Sequence, residues 1–141
     1  MRLVVVNGPN LNMLGKREAS VYGTFSLADL EQKIRSHVGN RAETVFFQSN
    51  SEGAIIDYLQ ALSEADRLIL NAGALTHTSI GIRDALSAVK VPFVEVHISN
   101  VYAREDFRHH SYLSAVARGV IAGLGADGYL LAADYFLNAK N

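Results

Sequence analysis

Short apolar runs of strand length alternate along this chain with segments whose apolar residues recur at helical spacing. Leu3 to Val6 is a continuous β-branched run, the pattern of a strand buried on both faces. A polar, glycine-bearing stretch from Gly8 to Gly23 follows with no regular period, and a loop of this length in a small domain is usually functional. Gly15 and Gly23 are candidate hinges around Arg17 and Tyr22. Ser26 reads as an N-cap with Asp29 in the first turn; Leu27, Leu30, Ile34 and Val38 follow at helical spacing, and Gly39 stops the helix. Glu43 to Gln48 predicts a second strand, Ser49 to Gly53 a polar loop, and Ile55, Leu59 and Leu62 a second helix. Arg67 to Asn71 predicts a third buried strand. The exit loop Asn71 to Ser79 offers Thr76 or Thr78 as cap for a helix that turns Ile82, Leu86 and Val89 inward and leaves Arg83 and Asp84 outside. A fourth strand starts at Val91-Pro92, and a second long polar loop runs from Ile98 to Tyr112. Val116 to Leu124 favours a fifth strand by its β-branched centre and bounding glycines. A last helix spans Tyr129 to Asn138, with Leu130, Ala133 and Leu137 on one face.

Strands alternating with helices predict βαβ units, a parallel sheet and right-handed crossovers. Five strands with four or more helices point to an α/β, flavodoxin-like three-layer sandwich with a doubly wound five-stranded sheet, and 141 residues suit one domain, 1–141. Ligands of such sheets bind beyond the carboxyl ends of the strands. The unusual polar residues gather there: Asn7 and Asn10 after the first strand, Asn71 and His77 after the third, His97, Ser99 and Asn100 after the fourth.

The fourth strand, Pro92 to Asn100, carries the sharpest signal. Val94, Val96 and Ile98 fall on one face, and Phe93, Glu95 and His97 on the other. Side chains at i and i+2 stand roughly 6–7 Å apart at Cβ, close enough for a carboxylate to accept an imidazole N–H. Such a pair fixes the tautomer and favours the protonated ring, giving a proton donor near neutral pH. From the strand alone, the two groups could equally satisfy only each other.

Composition then narrows the chemistry. A net charge of −1 gives no reason to expect nucleic acid or anionic lipid as a partner. The absence of cysteine excludes disulfides, thiolate catalysis and cysteine-ligated metals. No apolar run approaches the ~18–20 residues of a membrane span, and the first strand is too short for a signal peptide, so a cytoplasmic protein is expected. There is no GxGxxG after the first strand, no P-loop and no GxSxG elbow. His77, His97, His109 and His110 lack the tight spacing of a metal site, and no lysine sits in an apolar strand, so metal and Schiff-base chemistry are not expected. What remains is a cofactor-free acid–base site rich in hydrogen-bonding groups, suited to a small polyhydroxylated substrate. Arg17, Arg104 and Arg108 are candidates to bind or steer a carboxylate. The alternative is a non-catalytic domain of the same fold that binds a small carboxylate ligand. Binding alone would not require Tyr22, Arg17 and His97 together.

Several segments, in order, closely resemble type II 3-dehydroquinate dehydratase. They are Gly8-Pro9-Asn10-Leu11-Asn12, Leu14-Gly15 with Arg17-Glu18 and Tyr22-Gly23, Gln48-Ser49-Asn50, Asn71 to Ser79, Glu95 to Asn100 with Arg104-Glu105, Phe107-Arg108, and His110-Ser111-Tyr112. The resemblance runs from the first strand to the last helix. It implies a hydro-lyase that eliminates water from 3-dehydroquinate to give 3-dehydroshikimate, without cofactor or metal, as a homododecamer built from four trimers. By the same resemblance Tyr22 is the base, Arg17 the lid arginine beside it, Asn10 the holder of a water against the enolate, and His97 the general acid with Glu95 its partner. Asn71, His77, Ser99, Arg108 and the backbone of Ile98 match substrate-binding positions, and Asp84 a residue reaching the adjacent subunit's site. Two positions depart from the family pattern: Ala19, where a proline commonly follows the Arg-Glu pair, and Ser51, where histidine is common. Neither removes a catalytic group.

Overall fold

The computed structural model describes residues 1–16, 19–22 and 24–139, and the side chains of Ala19 and Tyr22 lie outside that description. Five parallel strands form one sheet: β1 (Arg2–Asn7), β2 (Glu43–Gln48), β3 (Asp66–Asn71), β4 (Phe93–His97) and β5 (Gly119–Ala122). Their order is β2-β1-β3-β4-β5. The direction of winding reverses between β1 and β3, so the loops leaving these two strands diverge and open a crevice at their carboxyl ends. Five α-helices are present among the described residues: α1 (Ala19–Tyr22), α2 (Leu27–Val38), α3 (Glu52–Gln60), α4 (Ile80–Val89) and α5 (Asp127–Asn138).

The sheet divides the core in two. Leu3, Val5, Ile69, Val94 and Val96 face α2 and α5, whereas Val4, Val6, Leu68, Leu70 and Phe93 face α3 and α4. Alternate residues of each strand are thus apolar on both sides, which explains the unbroken runs in the sequence. The helix starts are set locally. Ser26 and Asp29 form a reciprocal capping box at α2. Ser51 accepts from the Ala54 N–H at α3, so the residue that departs from the family pattern has a capping role here.

Four expectations need adjusting. Helix α3 begins at Glu52, inside the expected loop, because Ser51 caps it. The cap of α4 is Ser79 rather than Thr76 or Thr78, since Gly73–His77 forms a 3-10 turn that delays the helix to Ile80. Strand β5 is only Gly119–Ala122, the four residues that find partners on β4; Val116 belongs to a 3-10 turn, Ser114–Val116. Helix α5 starts at Asp127 and buries Tyr129, Ala132, Ala133 and Phe136, with Leu130 and Leu137 only partly covered. The buried face is rotated because the Tyr129 hydroxyl is tied beneath the strand ends.

Candidate active site

The exits of β1 and β3 pack backbone against backbone. A Cβ on Gly8 would stand 2.4 Å from the Ala72 carbonyl oxygen, and one on Gly73, at φ +60°, would stand 2.9 Å from that of Pro9. Only glycine permits this approach. The Gly8 N–H donates to the Asn71 carbonyl at 2.7 Å and closes the contact. Above it lies a polar pocket of about 110 Å³. From the resemblance-derived set it gathers Asn10, Asn71, His77, His97, Ile98, Ser99 and Arg108, with Arg104 beside them. Its position at the reversal of strand order is where such sheets bind ligands.

Strand β4 supplies a buried carboxylate–imidazole pair. Glu95 and His97 are 1% and 6% exposed, and His97 Nε2 lies 2.5 Å from Glu95 Oε2. The carboxylate's other oxygen, Oε1, accepts from the hydroxyls of Ser111 at 2.9 Å and Ser114 at 2.7 Å. Burial pushes the Glu95 carboxyl up, but the hydrogen bonds from His97, Ser114 and Ser111 outweigh it and hold the group below its ordinary value. With Nε2 turned inward, Nδ1 is the ring nitrogen left to serve a ligand.

His77 stacks near His97, with ring centroids 6.2 Å apart. Its Nδ1 donates to the His110 carbonyl at 2.8 Å, which leaves Nε2 an acceptor. Desolvation lowers its affinity for a proton, a pull that the His110 contact opposes and His97 and Arg108 reinforce. The balance favours the neutral form of the His77 ring.

Asn10 begins the 3-10 turn Leu11–Met13 in a left-handed conformation, φ 70°, which asparagine tolerates better than most residues. Its N–H donates to Asn50 Oδ1 at 3.0 Å, and Gln48 Nε2 donates both to that oxygen and to the Gly8 carbonyl. Asn71 is almost wholly buried. Its Nδ2 donates to the Tyr129 hydroxyl at 2.8 Å, its Oδ1 accepts from the Gly73 N–H, and Tyr129 in turn donates to Asn7 Oδ1 at 2.6 Å. One amide proton of Asn71 remains for the pocket. The Ile98 side chain is part of the core, so a ligand meets its backbone. Arg104 Nη1 donates to Ser99 Oγ at 3.3 Å, and Arg108 Nε to Glu105 at 3.1 Å.

Not every expected residue converges here. Asp84 is exposed on α4 and does not line the pocket. Arg17 and the hinge Gly23 lie outside the described residues, and of Tyr22 only the backbone at the end of α1 is described. Conversely, Tyr129, Ser114, Gln48 and Asn50 support the site without having been assigned a part in it. A tyrosine on the apolar face of a helix was the one usable hint, since a buried phenol needs a partner. Among the described residues no group of three or more His, Cys, Asp or Glu side chains is placed to hold a metal ion, and no helix is long and apolar enough to cross a membrane.

Comparison with known proteins matches this arrangement. The profile of the family Dehydroquinase class II fits residues 1–137. The 3-dehydroquinate dehydratase of Actinobacillus pleuropneumoniae is 53% identical over 139 residues, covering 97% of this chain and 90% of its own. That of Endomicrobium trichonymphae is 56% identical over 133 residues, 93% of each. Crystal structures of type II dehydroquinases from Butyrivibrio crossotus and Propionibacterium acnes superpose with a TM-score of 0.93 at 45% and 38% identity, covering 99% and 98% of this chain and 98% and 97% of theirs. With the family profile, the relatives and the superposed structures agreeing over nearly the whole length, the chain belongs to the class II dehydroquinase family.

Proposed function

We propose that this chain removes water from 3-dehydroquinate by anti elimination through an enolate, giving 3-dehydroshikimate, with Tyr22 as base and His97 as acid. Dehydration of 3-dehydroquinate follows from family membership. The observation that carries the acid half is the buried Glu95–His97 pair opening on the pocket at the sheet's reversal point.

The proton to be removed lies on a carbon next to a ketone, so its loss produces an enolate before hydroxide departs. A free tyrosine titrates near ~10 and needs help to act as base at neutral pH. A guanidinium beside it favours the tyrosinate, and Arg17, close to Tyr22 in the sequence, is the group we assign to that task, with Arg108 on the pocket wall. The enolate oxygen needs a preorganised donor; Asn10 supplies one by holding a water. His97 then protonates the leaving hydroxide, and Glu95 compensates the charge on the ring while it waits. Neutral His77, the free amide proton of Asn71, Ser99, the Ile98 backbone and Arg108 orient the substrate's hydroxyls and carboxylate. The reaction so written uses no metal or cofactor. The reading extends to a cytoplasmic homododecamer of four trimers, in which Asp84, exposed on α4, reaches the neighbouring subunit's site.

A continuous ultraviolet assay tests the proposal. Protein with added chelator is mixed with 3-dehydroquinate, and the conjugated enone product is followed. Wild-type protein should give a steady rise, and Tyr22→Phe should reduce it by roughly 10²–10⁴-fold, the usual worth of a positioned base. Substantial turnover in the folded variant would remove Tyr22 as the base, and no rise from folded wild-type protein would sink the dehydratase reading.

A further inference from the structure

Glu95 takes more hydrogen bonds than a partner for one histidine requires. Its Oε2 serves His97, while Oε1 accepts from both Ser111 and Ser114. Ser111 is held in turn: its Oγ accepts from the N–H groups of Leu113 and Ser114, at 3.0 and 3.1 Å. The segment is pinned at Tyr112, whose N–H donates to the Thr76 carbonyl and whose carbonyl accepts from Arg83 Nη1 at 3.0 Å. The two hydroxyls therefore arrive from a braced turn rather than a loose loop.

We infer that Ser111 and Ser114 are positioning residues for the elimination: their paired hydroxyls fix the Glu95 carboxylate, ionised and in one orientation, so that it holds His97 as a ready proton donor. The inference rests on the proposed acid role of His97. A carboxylate at 1% exposure has no solvent to complete its shell. On the sheet it faces Leu70 of β3 and Val120 of β5, neither of which can donate from its side chain. The charged or titratable groups nearby are His97 on its own strand, His77 from the turn after β3, and Arg104 and Arg108 from the following loop, which line the pocket. Among the described residues, the hydrogen bonds to the carboxylate come from His97, Ser111 and Ser114. Without the serines, Oε1 would be a buried acceptor with no donor among the described residues. The proton would then be drawn from the imidazole to the carboxyl, leaving a neutral pair and a weaker acid. Hydrogen bonds to the ionised form are already part of what keeps Glu95 charged.

The test is the double variant Ser111→Ala/Ser114→Ala, with Ser111→Thr/Ser114→Thr as the conservative control. Two readouts are needed. The first is the Glu95 carboxyl titration by carbon NMR, which does not depend on turnover. Loss of two donors to the charged form should move it to higher pH, and threonine should move it back. The second is the pH profile of kcat for 3-dehydroquinate. Its acid limb should shift to higher pH in the same direction, with kcat down roughly ten- to hundredfold, as for loss of a hydrogen bond to a buried charge, and KM little changed. An unmoved carboxyl titration overturns the clamp. A moved titration with unchanged kcat overturns the positioning role, whereas the acid role of His97 is tested on its own by His97→Ala, which leaves both serines in place. Should the double variant not fold, Ser114→Ala, which leaves Ser111 and its turn in place, carries the same titration.

Discussion

The two sides of the pocket are built by different means. On the β4 side, Glu95 and His97 project from a strand into the core, and every oxygen of the carboxylate is occupied. On the β1 side, Asn10 stands exposed at the head of a 3-10 turn, and what fixes it is its backbone, held by Asn50 and Gln48. The difference suits the roles proposed for the two sides. The proposed proton donor is shielded, so its partner's charge is felt at full strength, and a strand buried on both faces provides that. The group proposed to steady a water stays accessible, and a loop provides that.

Breaking the buried side should have the larger effect. Glu95→Gln keeps the shape and a hydrogen-bonding oxygen but removes the charge opposite His97. Turnover should fall by about 10²-fold, within the range for general-acid catalysis, as measured by initial rates at saturating substrate. Near wild-type rates would show that His97 does not need the carboxylate's charge. The same residue links the site to pH. Its folded-state carboxyl is held below the ordinary value of 4.5, so the folded protein binds fewer protons there than the unfolded chain. Its contribution to stability is fully present above that ordinary value and is lost as pH falls through the lower folded-state value. Thermal unfolding of wild type and Glu95→Gln across that acid range should show the gap between them narrowing as pH drops.

Breaking the exposed side should do less. Asn50→Ala removes the acceptor for the Asn10 N–H from an exposed position, so folding should be unaffected within about 0.5 kcal/mol. The rate constant kcat should fall several-fold, about what a hydrogen bond near 1 kcal/mol supports, with KM nearly unchanged. Asn50→Asp retains the acceptor oxygen and should restore most of the loss. Failure of that rescue would mean Asn50 acts by some route other than holding Asn10.

The same contrast decides what was legible in the sequence. The parallel sheet follows from strands alternating with helices, and the two core faces and the Glu95–His97 pairing follow from the strand runs and their period-2 alternation, where geometry is local. The supports of the site are not local. Tyr129 bonds to Asn7 across 122 positions and receives Asn71 across 58. Asn50 reaches Asn10 across 40, and Ser114 reaches Glu95 across 19. No periodicity encodes such pairings, because they depend on how loops from different strands meet. Helix starts failed for a related reason. Serine and threonine cap about equally well on paper, and tertiary packing chose Ser79 over Thr76 by burying Thr76 in the preceding turn. The residues that the family resemblance assigns as base and lid arginine, Tyr22 and Arg17, were legible as motif and as nothing else.

In the proposed reaction the buried histidine of β4 delivers the proton that lets water leave. The most direct test of that step is the rate of enone formation from 3-dehydroquinate by His97→Ala, beside wild type, with circular dichroism to establish that both are folded. The account predicts an intact fold and a loss of roughly 10²–10⁴-fold in kcat. A folded His97→Ala protein that turns over at the wild-type rate would contradict it.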